Sequence, residues 1–306
     1  MIGAMEELVE LARLKPARQL VLAGANHAST LEAVVQARRR GIIGGAVLVG
    51  DSSEVEERLR ALGESPEDYA LVGCAGDFEV ASMAVAIMSG GKGDLLLKGH
   101  IPTGALLGAV LTRGAGLRTG RALSDVMITE NPVEGGPALL GVADGGVNIA
   151  PDLAMKKQII ENAVKVFHRL GVEVPRVALL CAVEKVNGAM PHTVEARQLV
   201  EMNRDGIIRG CILGGPLALD NAICLAAAQA KGLDSPVAGR ADILIAPNIE
   251  AANILGKAFR YLAGKSLAHV IEGARVPILI PSRTESPEDK LYSIALGALC
   301  TGEDEP

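Results

Sequence analysis

Residues 276–290 read VPILIPSRTESPEDK, and this stretch joins a buried strand to a helix. The apolar run 276–280 is short and is followed by Pro281, which is typical of an interior strand that reaches the carboxyl edge of its sheet. Ser286 and Pro287 are residue types preferred at the N-cap and at the first position of a helix. Apolar residues follow at helical spacing, so the stretch predicts a strand, a short polar loop and a helix.

The loop between this strand and helix carries a hydroxyl, a guanidinium and carboxylates. Ligands of open α/β sheets bind outside the carboxyl ends of the strands, and helix N-termini there attract anions. The same residues also have a structural interpretation, in which Asp289 closes a capping box with Ser286 and Arg283 pairs with Glu285 or Glu288 at the surface. The residue pattern alone favours the structural interpretation, because capping boxes are far commoner than active sites.

The rest of the chain alternates predicted strands and helices. A first βαβ unit is expected at 19–23, 29–40 and 45–49, and the second half continues with a strand at 207–213 and a helix at 221–231. Hydrophobic residues make up 49% of the chain, yet aromatic residues are only 2% and Trp is absent. The core must therefore be built from Ala, Val, Ile and Leu, as in parallel sheets covered by helices. The sequence predicts an α/β protein with two α/β lobes.

Composition excludes several classes of function. The net charge is −6 and the chain has no basic tail and few stacking aromatics, which argues against nucleic acid as a partner. Five scattered cysteines without a CxxC motif argue for a reducing compartment and against a zinc site or a disulfide framework. No secretory signal and no run of 18 apolar residues is present, so we expect a soluble cytoplasmic protein without membrane contact.

One basic stretch stands out in this acidic chain. Residues 95–124 contain four Lys or Arg residues and no acidic residue, which predicts either a site for an anion with more than one phosphate or a flexible basic loop. His27 follows a predicted strand and either faces a ligand or is a solvated loop residue. Two glycine-containing segments resemble nucleotide-binding motifs only in part. Residues 264–266 read Gly-Lys-Ser, but the first glycine of a P-loop is missing before them. The glycines of 114–120 do not have the spacing of the dinucleotide-binding motif G-x-G-x-x-G.

The chain resembles the phosphate acetyl/butyryltransferase family along nearly its whole length. Two segments, 216–222 and 291–296, look more like the butyryl branch than the acetyl branch. The likeness rests on six blocks in the same order, which are 97–99, 117–126, 144–151, 215–222, 241–253 and 282–283.

This resemblance implies a reaction that exchanges a short-chain acyl group between coenzyme A and inorganic phosphate. The acyl group would be butyryl or similar, with acetyl as the alternative. Acyl-CoA, coenzyme A, phosphate and acyl phosphate would be the substrates and products, with no metal and no cofactor. The implied fold is similar to that of isocitrate and isopropylmalate dehydrogenases, with the active site in an interdomain cleft and a homodimer or higher homo-oligomer as the unit. The first domain would comprise 1–130 plus 275–306, and the inserted second domain 131–274.

The resemblance also implies roles for residues of the 282–289 stretch. The acetyl-branch pattern Ser-Arg-Gly-x-Ser-x-x-Asp falls on Ser282, Arg283, Ser286 and Asp289. Asp289 would take the thiol proton as general base, Arg283 would bind phosphate and the developing oxyanion, and Ser282 would add a hydrogen bond.

The chain departs from the acetyl-branch pattern within that stretch. Thr284 and Glu285 stand where that branch has Gly and a variable residue. Butyryl-like members tend to carry an acid at the second of these positions, so Glu285 is the alternative base. By the same resemblance, Lys98, Arg118 and Arg121, with Ser286, would bind phosphates of coenzyme A or of the acyl phosphate.

Two other functions remain open at this point. One is a non-catalytic module of the same fold that senses coenzyme A or acyl phosphate. The other is a metal-dependent decarboxylating dehydrogenase, which needs a trio of metal-binding aspartates and a nicotinamide site. We find neither of these signatures in the sequence.

Overall fold

The computed structural model describes residues 2–114 and 116–302, and the chain forms two compact units. The split unit contains Glu6–Arg121 and the chain from Ala268 onwards. The other unit consists almost entirely of the uninterrupted segment Ala122–Leu267, and we call it the continuous unit. The residues up to Met5 also belong to it. The domain ranges predicted from the sequence stay a prediction. The boundaries between the two compact units lie between Arg121 and Ala122 and between Leu267 and Ala268.

Helices and strands alternate through both units. The first part of the split unit contains α1 (Met5–Arg13), β1 (Arg18–Ala23), α2 (Ala28–Arg39), β2 (Ile43–Gly50), α3 (Ser52–Ala61), a 3₁₀ helix (Pro66–Asp68), β3 (Ala70–Gly73), α4 (Asp77–Ser89), β4 (Leu95–Lys98) and α5 (Thr103–Leu111). The continuous unit contains β5 (Ser124–Glu130), β6 (Leu139–Ala143), α6 (Leu153–Arg169), β7 (Arg176–Leu180), α7 (Pro191–Arg204), β8 (Ile212–Leu217), α8 (Leu219–Ile223), α9 (Leu225–Ala230), β9 (Ile243–Ile245) and α10 (Ile249–Tyr261). The chain ends with β10 (Leu267–Glu272), β11 (Ile278–Leu279) and α11 (Pro287–Cys300).

The strands of the split unit lie in the order β3-β2-β1-β4-β11-β10. All neighbours are parallel except β10, which runs antiparallel to β11. Leu97 of β4 lies between Leu22 of β1 and Leu279 of β11, and all three side chains are fully buried. These apolar strands are covered by helices, which confirms the α/β class with largely parallel sheets.

The carboxyl ends of β1 and β4 approach each other closely. The backbone N–H of Gly99 donates to the Ala23 carbonyl over 2.8 Å, and that of His100 donates to the Gly24 carbonyl over 2.9 Å. A Cβ atom at Gly99 would overlap the Gly24 carbonyl oxygen, so this position requires glycine. The loops that follow Ala23 and Lys98 are therefore held together at one edge of the sheet.

Helix α11 begins as its sequence predicts. Ser286 is the N-cap, Pro287 is the first helical residue, and the side chains of Ser286 and Asp289 form a capping box. Every residue from Asp289 to Cys300 is buried, because the helix packs on α2 and on β4 and β11. Strand β11 is shorter than predicted, with only Ile278–Leu279 in the ladder.

The continuous unit has the strand order β5-β6-β9-β7-β8, in which only the pair β5 and β6 is antiparallel. Its core is mostly aliphatic, with Met127, Leu140 and Leu244 among the buried residues and Phe259 as an aromatic member. The unit thus contains the antiparallel pair and the parallel strands in one core.

Two sequence-based expectations in the continuous unit are wrong. The strand expected at 207–213 begins later, at Ile212, and runs to Leu217 as β8. The residues just before it stay in a turn, because the side-chain amide of Asn203 donates to the carbonyls of Ile208 and Cys211. The single helix expected at 221–231 is two short helices, and Cys224 between them has an extended backbone.

Among residues 2–114 and 116–302, no helix is long and apolar enough to span a bilayer.

Substituting Gly99 tests the close approach of the β1 and β4 loops. We expect Gly99→Ala to lower the free energy of unfolding by about 1–3 kcal/mol, because the added methyl group meets backbone rather than a mobile side chain. Gly108→Ala is the matched control. This glycine lies inside α5 with open space around it, so alanine should raise stability by about 0.4–1 kcal/mol. Urea unfolding measures both changes, and equal stability of the two variants would contradict the expectation.

Candidate active site

The loop that follows β11 carries most of the predicted catalytic residues. A turn is closed by a hydrogen bond from the Glu285 backbone N–H to the Ser282 carbonyl, 3.2 Å long. The hydroxyls of Ser282 and Thr284 lie 3.1 Å apart. Arg283 and Thr284 are exposed, whereas Glu285 is buried. The turn therefore directs the guanidinium and the carboxylate into different environments.

Asp289 has the structural contacts of a helix cap. Its Oδ2 atom accepts hydrogen bonds from the Ser286 backbone N–H at 3.2 Å and from the Ser286 hydroxyl at 2.7 Å. The Asp289 backbone N–H donates back to the Ser286 hydroxyl at 3.1 Å, and the residue is 0% exposed. The capping-box interpretation is thus confirmed as geometry, and the hydroxyl of Ser286 is engaged in it.

Glu285 is buried against a histidine that the sequence analysis did not single out. Its Oε1 atom lies 3.3 Å from Nε2 of His269, a residue of β10. Its Oε2 atom is buried and has no hydrogen-bond partner among the described residues. Leaving a buried carboxylate oxygen without a hydrogen bond is unfavourable for folding.

Lys290 fixes the loop from the other side. It is 1% exposed, and its ammonium group donates to the Ser29 hydroxyl at 3.0 Å and to the main-chain carbonyl of Glu285. Burial lowers the pKa of Lys290, and the nearby carboxylates of Glu285 and Asp289 partly oppose this shift. Lys290 therefore ties the start of α11 to the first turn of α2.

Lys98 is a buried cation at the end of β4. It is 5% exposed, and its ammonium group makes one long hydrogen bond, 3.4 Å, to the Gly99 carbonyl among the described residues. Burial lowers the pKa of Lys98 to about 8; Arg283 and Lys290 add to the shift, and Glu285 opposes it. Lys98 therefore interacts electrostatically with Arg283, Glu285 and Lys290.

Two histidines lie close to each other beside these cations. The rings of His27 and His100 lie edge to face with centroids 5.7 Å apart. Nδ1 of His27 is 3.0 Å from the Ser29 hydroxyl, at the N-terminus of α2. Burial lowers the pKa of His27, and Lys290, His100 and Lys98 lower it further. The site therefore contains a neutral imidazole among several cations at neutral pH.

Arg118 and Arg121 belong to a different part of the split unit. The segment 117–121 is fastened to the turn that precedes β11, where the Arg275 backbone N–H donates to the Leu117 carbonyl at 2.9 Å and the Thr119 hydroxyl donates to the Gly273 carbonyl. Ser282 and Glu285 follow the other end of β11. The side chains of Arg118 and Arg121 are exposed.

The sequence reasoning missed His269 and Lys290. His269 lies within the apolar strand β10, and no local signal distinguishes it from a core residue. Lys290 did have a signal, because it shares a helical face with Ile294 four residues later, and a lysine on a buried face needs a partner.

A cavity of about 430 Å³ lies in the continuous unit, lined by Leu139, Phe167, Leu170 and Arg176 among others. None of the predicted site residues lines it.

Lys98, Arg283 and Glu285 together form an arrangement suited to binding an anion and moving a proton. Lysine and arginine bind phosphate oxygens, and a carboxylate within reach of a thiol accepts its proton.

Comparisons with known proteins identify the family of this chain. A family model described as phosphate acetyl/butaryl transferase matches residues 77–298. The chain is 43% identical to the phosphate acetyltransferase of Thermotoga maritima over 295 residues, 96% of this chain and 99% of the relative. It is 38% identical to the phosphate butyryltransferase of Clostridium acetobutylicum over 302 residues, 99% of each chain. A solved branched-chain phosphotransacylase from Enterococcus faecalis superposes with a TM-score of 0.81 at 29% identity and covers 92% of this chain and 98% of its own. The predicted resemblance is confirmed, and the chain belongs to the phosphate acetyl/butyryltransferase family.

Proposed function

We propose that this protein exchanges a short-chain acyl group between coenzyme A and inorganic phosphate. The observation that carries the proposal is the buried carboxylate of Glu285 in one region with Lys98 and Arg283, in a chain of this family. An acyl transfer between a thiol and phosphate needs a proton acceptor for the thiol, cations for the phosphate and a donor for the oxyanion. The loop after β11 and the end of β4 supply all three.

The formation of acyl-CoA begins with a proton transfer. A carboxylate takes the proton from the thiol of coenzyme A, and the sulfur attacks the carbonyl carbon of the acyl phosphate. The oxyanion that develops is stabilised by Arg283 with a hydrogen bond from Ser282. The carbon–oxygen bond to phosphate then breaks, and the proton passes from the carboxyl group to the departing phosphate. The reverse reaction follows the same steps backwards.

We assign the general base to Glu285 and a structural role to Asp289. Asp289 is 0% exposed, and its Oδ2 atom is occupied by two hydrogen bonds from Ser286. Glu285, by contrast, has a buried oxygen without a hydrogen-bond partner among the described residues. This assignment reverses the preference for Asp289 drawn from the acetyl-branch pattern, and it leaves Ser286 to hold the helix start.

The cations divide into two groups in this proposal. Lys98 and Arg283 bind inorganic phosphate or the phosphate group of the acyl phosphate, because they interact electrostatically with each other and Lys98 also with Glu285. Arg118 and Arg121 bind the phosphates of coenzyme A, because their segment is fastened to the turn at the other end of β11. An extended ligand such as coenzyme A has its phosphates far from its thiol, which suits this separation.

We propose butyryl or a similar acyl group as the substrate, with acetyl as the alternative. The relatives named for acetyl and for butyryl transfer are both similar to this chain. One methylene changes binding by only about 1–3 kcal/mol, so activity with both esters is expected.

The cytoplasmic location and the homodimer or higher homo-oligomer remain predictions, as do the absence of a cofactor and of a metal. None of the five cysteines forms a disulfide in the part of the chain that the structure describes.

Acid substitutions test the assignment of the base. We expect Glu285→Gln to lower phosphate-dependent thiol release from butyryl-CoA by about 10²–10⁴-fold, because the amide cannot accept a proton. Asp289→Asn keeps an acceptor oxygen for Ser286, so it should retain most of the rate and lose about 0.5–2 kcal/mol of stability. A thiol-reactive dye follows the rate, and thermal unfolding follows the stability. The opposite pattern would assign the base to Asp289, and no phosphate-dependent release from acetyl-, propionyl-, butyryl- or isobutyryl-CoA would favour the sensing module.

Arginine substitutions test the division of the cations. Arg283→Ala should lower kcat by about 10²–10³-fold, because it removes a donor to the oxyanion. Arg118→Ala and Arg121→Ala should instead raise KM for the acyl-CoA and leave KM for phosphate near its wild-type value. Steady-state kinetics with both substrates varied measures these constants. A rise in the phosphate KM for Arg118→Ala would instead assign that residue to the inorganic phosphate that accepts the acyl group.

The lowered pKa of Lys98 predicts a pH dependence of phosphate binding. Lys98 loses its charge as the pH rises through about 8, so KM for phosphate should rise above that pH. Measuring the acyl-CoA-consuming direction avoids titration of the free thiol, and phosphate itself is already a dianion in this range. Lys98→Arg is the control, because a guanidinium stays charged and should abolish the rise. A wild-type phosphate KM that is constant between pH 7.5 and 9.5 would contradict the assignment.

A further inference from the structure

The continuous unit contains a cavity of about 430 Å³ that the proposed reaction does not use. The residues that line it all belong to this unit, including the short segment of residues 2 and 3. Small-molecule sites in proteins have volumes of about 300–1,000 Å³. An apolar cavity of about 150 Å³ already holds benzene. The cavity is therefore large enough for an organic ligand bigger than benzene.

The cavity lies at the amino ends of three strands. Leu139 and Arg176 are the first residues of β6 and β7, and Asp242 immediately precedes β9. Strand β9 runs parallel to both β6 and β7, so these strand starts meet at one edge of the sheet. The usual ligand position in an open α/β sheet is outside the opposite, carboxyl edge. The cavity is therefore separate from the ligand position that the fold class predicts.

Hydrogen bonds around Asp242 hold these strand starts together. The backbone N–H of Arg176 donates to Oδ2 of Asp242 at 2.7 Å, and the backbone N–H of Asp242 donates to the Arg176 carbonyl at 2.8 Å. The backbone N–H of Gly141 donates to the Asp242 carbonyl at 2.8 Å. Ligand sites are usually largely pre-formed in this way. This part of the lining therefore does not need a ligand to order it.

Three charged residues line the cavity, two arginines and one aspartate. Burial raises the pKa of Asp242, while the backbone hydrogen bond and the charge of Arg176 oppose that shift. Arg176 is therefore the cation that compensates the Asp242 carboxylate. Arg240 is exposed, and its side chain forms no hydrogen bond or ion pair with the described residues. One positive charge, that of Arg240, is thus left for a ligand.

Apolar side chains form much of the remaining lining. Leu139, Phe167 and Leu170 are buried, and they lie at the start of β6 and the end of α6. Leu225, the first residue of α9, is 37% exposed. Such a lining favours a hydrocarbon chain over a polar molecule. Coenzyme A carries several negative charges, which one surplus cation in an apolar cavity does not match.

We propose that this cavity binds an aliphatic monocarboxylate, with its carboxylate paired to Arg240 and its hydrocarbon chain against Phe167 and Leu170. Arginine can bind a carboxylate through two parallel hydrogen bonds, which distinguishes the acid from a neutral alcohol of the same length. A saturated chain of about eight carbon atoms suits a cavity larger than one that holds benzene. This inference does not depend on the proposed transfer reaction.

Octanoate is the probe, and equilibrium dialysis of the radiolabelled acid against the full-length protein measures its binding. We expect saturable binding at one site per chain. Butyrate should bind about 100-fold more weakly, because it lacks four of the methylenes that octanoate buries. 1-Octanol should bind about 10-fold more weakly, because it offers Arg240 no charge. Absence of saturable octanoate binding, or equal binding of octanoate and 1-octanol, would overturn the proposal.

Substitutions at the cavity locate the bound octanoate. Arg240→Ala should weaken binding about 10-fold, and Arg240→Lys should recover part of this loss because it keeps the charge. Leu225→Asp should weaken binding at least about 10-fold, since it removes apolar surface and repels the carboxylate. An acid is favourable at the start of a helix, so this variant should fold. Leu219→Asp is the matched control with wild-type binding, because Leu219 begins α8, is 38% exposed and does not line the cavity.

Competition separates this cavity from the active site. Saturating butyryl-CoA should leave octanoate bound, whereas displacement would assign octanoate to the acyl site and overturn the inference. Wild-type affinity in both Arg240→Ala and Leu225→Asp would also overturn it. A fall in bound octanoate per chain as the protein concentration rises would show instead that a second copy of the chain covers the cavity. Phosphate-dependent thiol release by the same wild-type preparation tests the proposed function independently of these results.

Discussion

The burial of the Glu285 carboxylate is the constraint on which the candidate site depends. A carboxylate in an apolar environment is unfavourable unless donors and opposite charges surround it. Here His269 lies against one oxygen, Lys290 holds the main chain of the same residue, and Lys98 lies in the same electrostatic region. Cations that compensate a buried carboxylate in this way are also the groups that an anionic substrate would need.

The parallel sheet explains why these groups meet. Strands β1, β4 and β11 run in the same direction, so their following loops emerge at one edge. The tight approach of Gly99 to Gly24 brings the loops of β1 and β4 together, and Lys290 connects α11 to the start of α2. Strand β10 runs antiparallel to β11, so the first half of β10, with His269, lies next to the carboxyl end of β11. The strand order therefore brings His269 to the site, although His269 is distant in sequence from the loop that carries Glu285.

The acetyl-branch pattern and the local geometry favour different carboxylates in the same segment. The acetyl-branch pattern points to Asp289, whereas the hydrogen bonds of Asp289 are those of a helix cap. Ser286 and Asp289 serve as N-cap and third residue of α11, and this use of both side chains is sufficient to explain them. The acid at position 285, with Thr284 before it, is where this chain departs from that pattern, and it is also where the buried carboxylate oxygen has no hydrogen-bond partner among the described residues.

The sequence by itself determined the α/β class, the start of α11 with its capping box, and membership of the family. These features depend on local residue types and on motifs that are contiguous in the chain, such as Ser286-Pro287 and the block 241–253. It also predicted Lys98, Arg283 and Glu285 as site residues, although it preferred Asp289 as the base. Only the tertiary structure decided that β8 begins at Ile212, where the side chain of Asn203 ends the preceding turn, and that His269 and Lys290 contact Glu285. Such contacts depend on strand order and on burial. Local sequence does not determine which side chains a distant strand will place next to a loop.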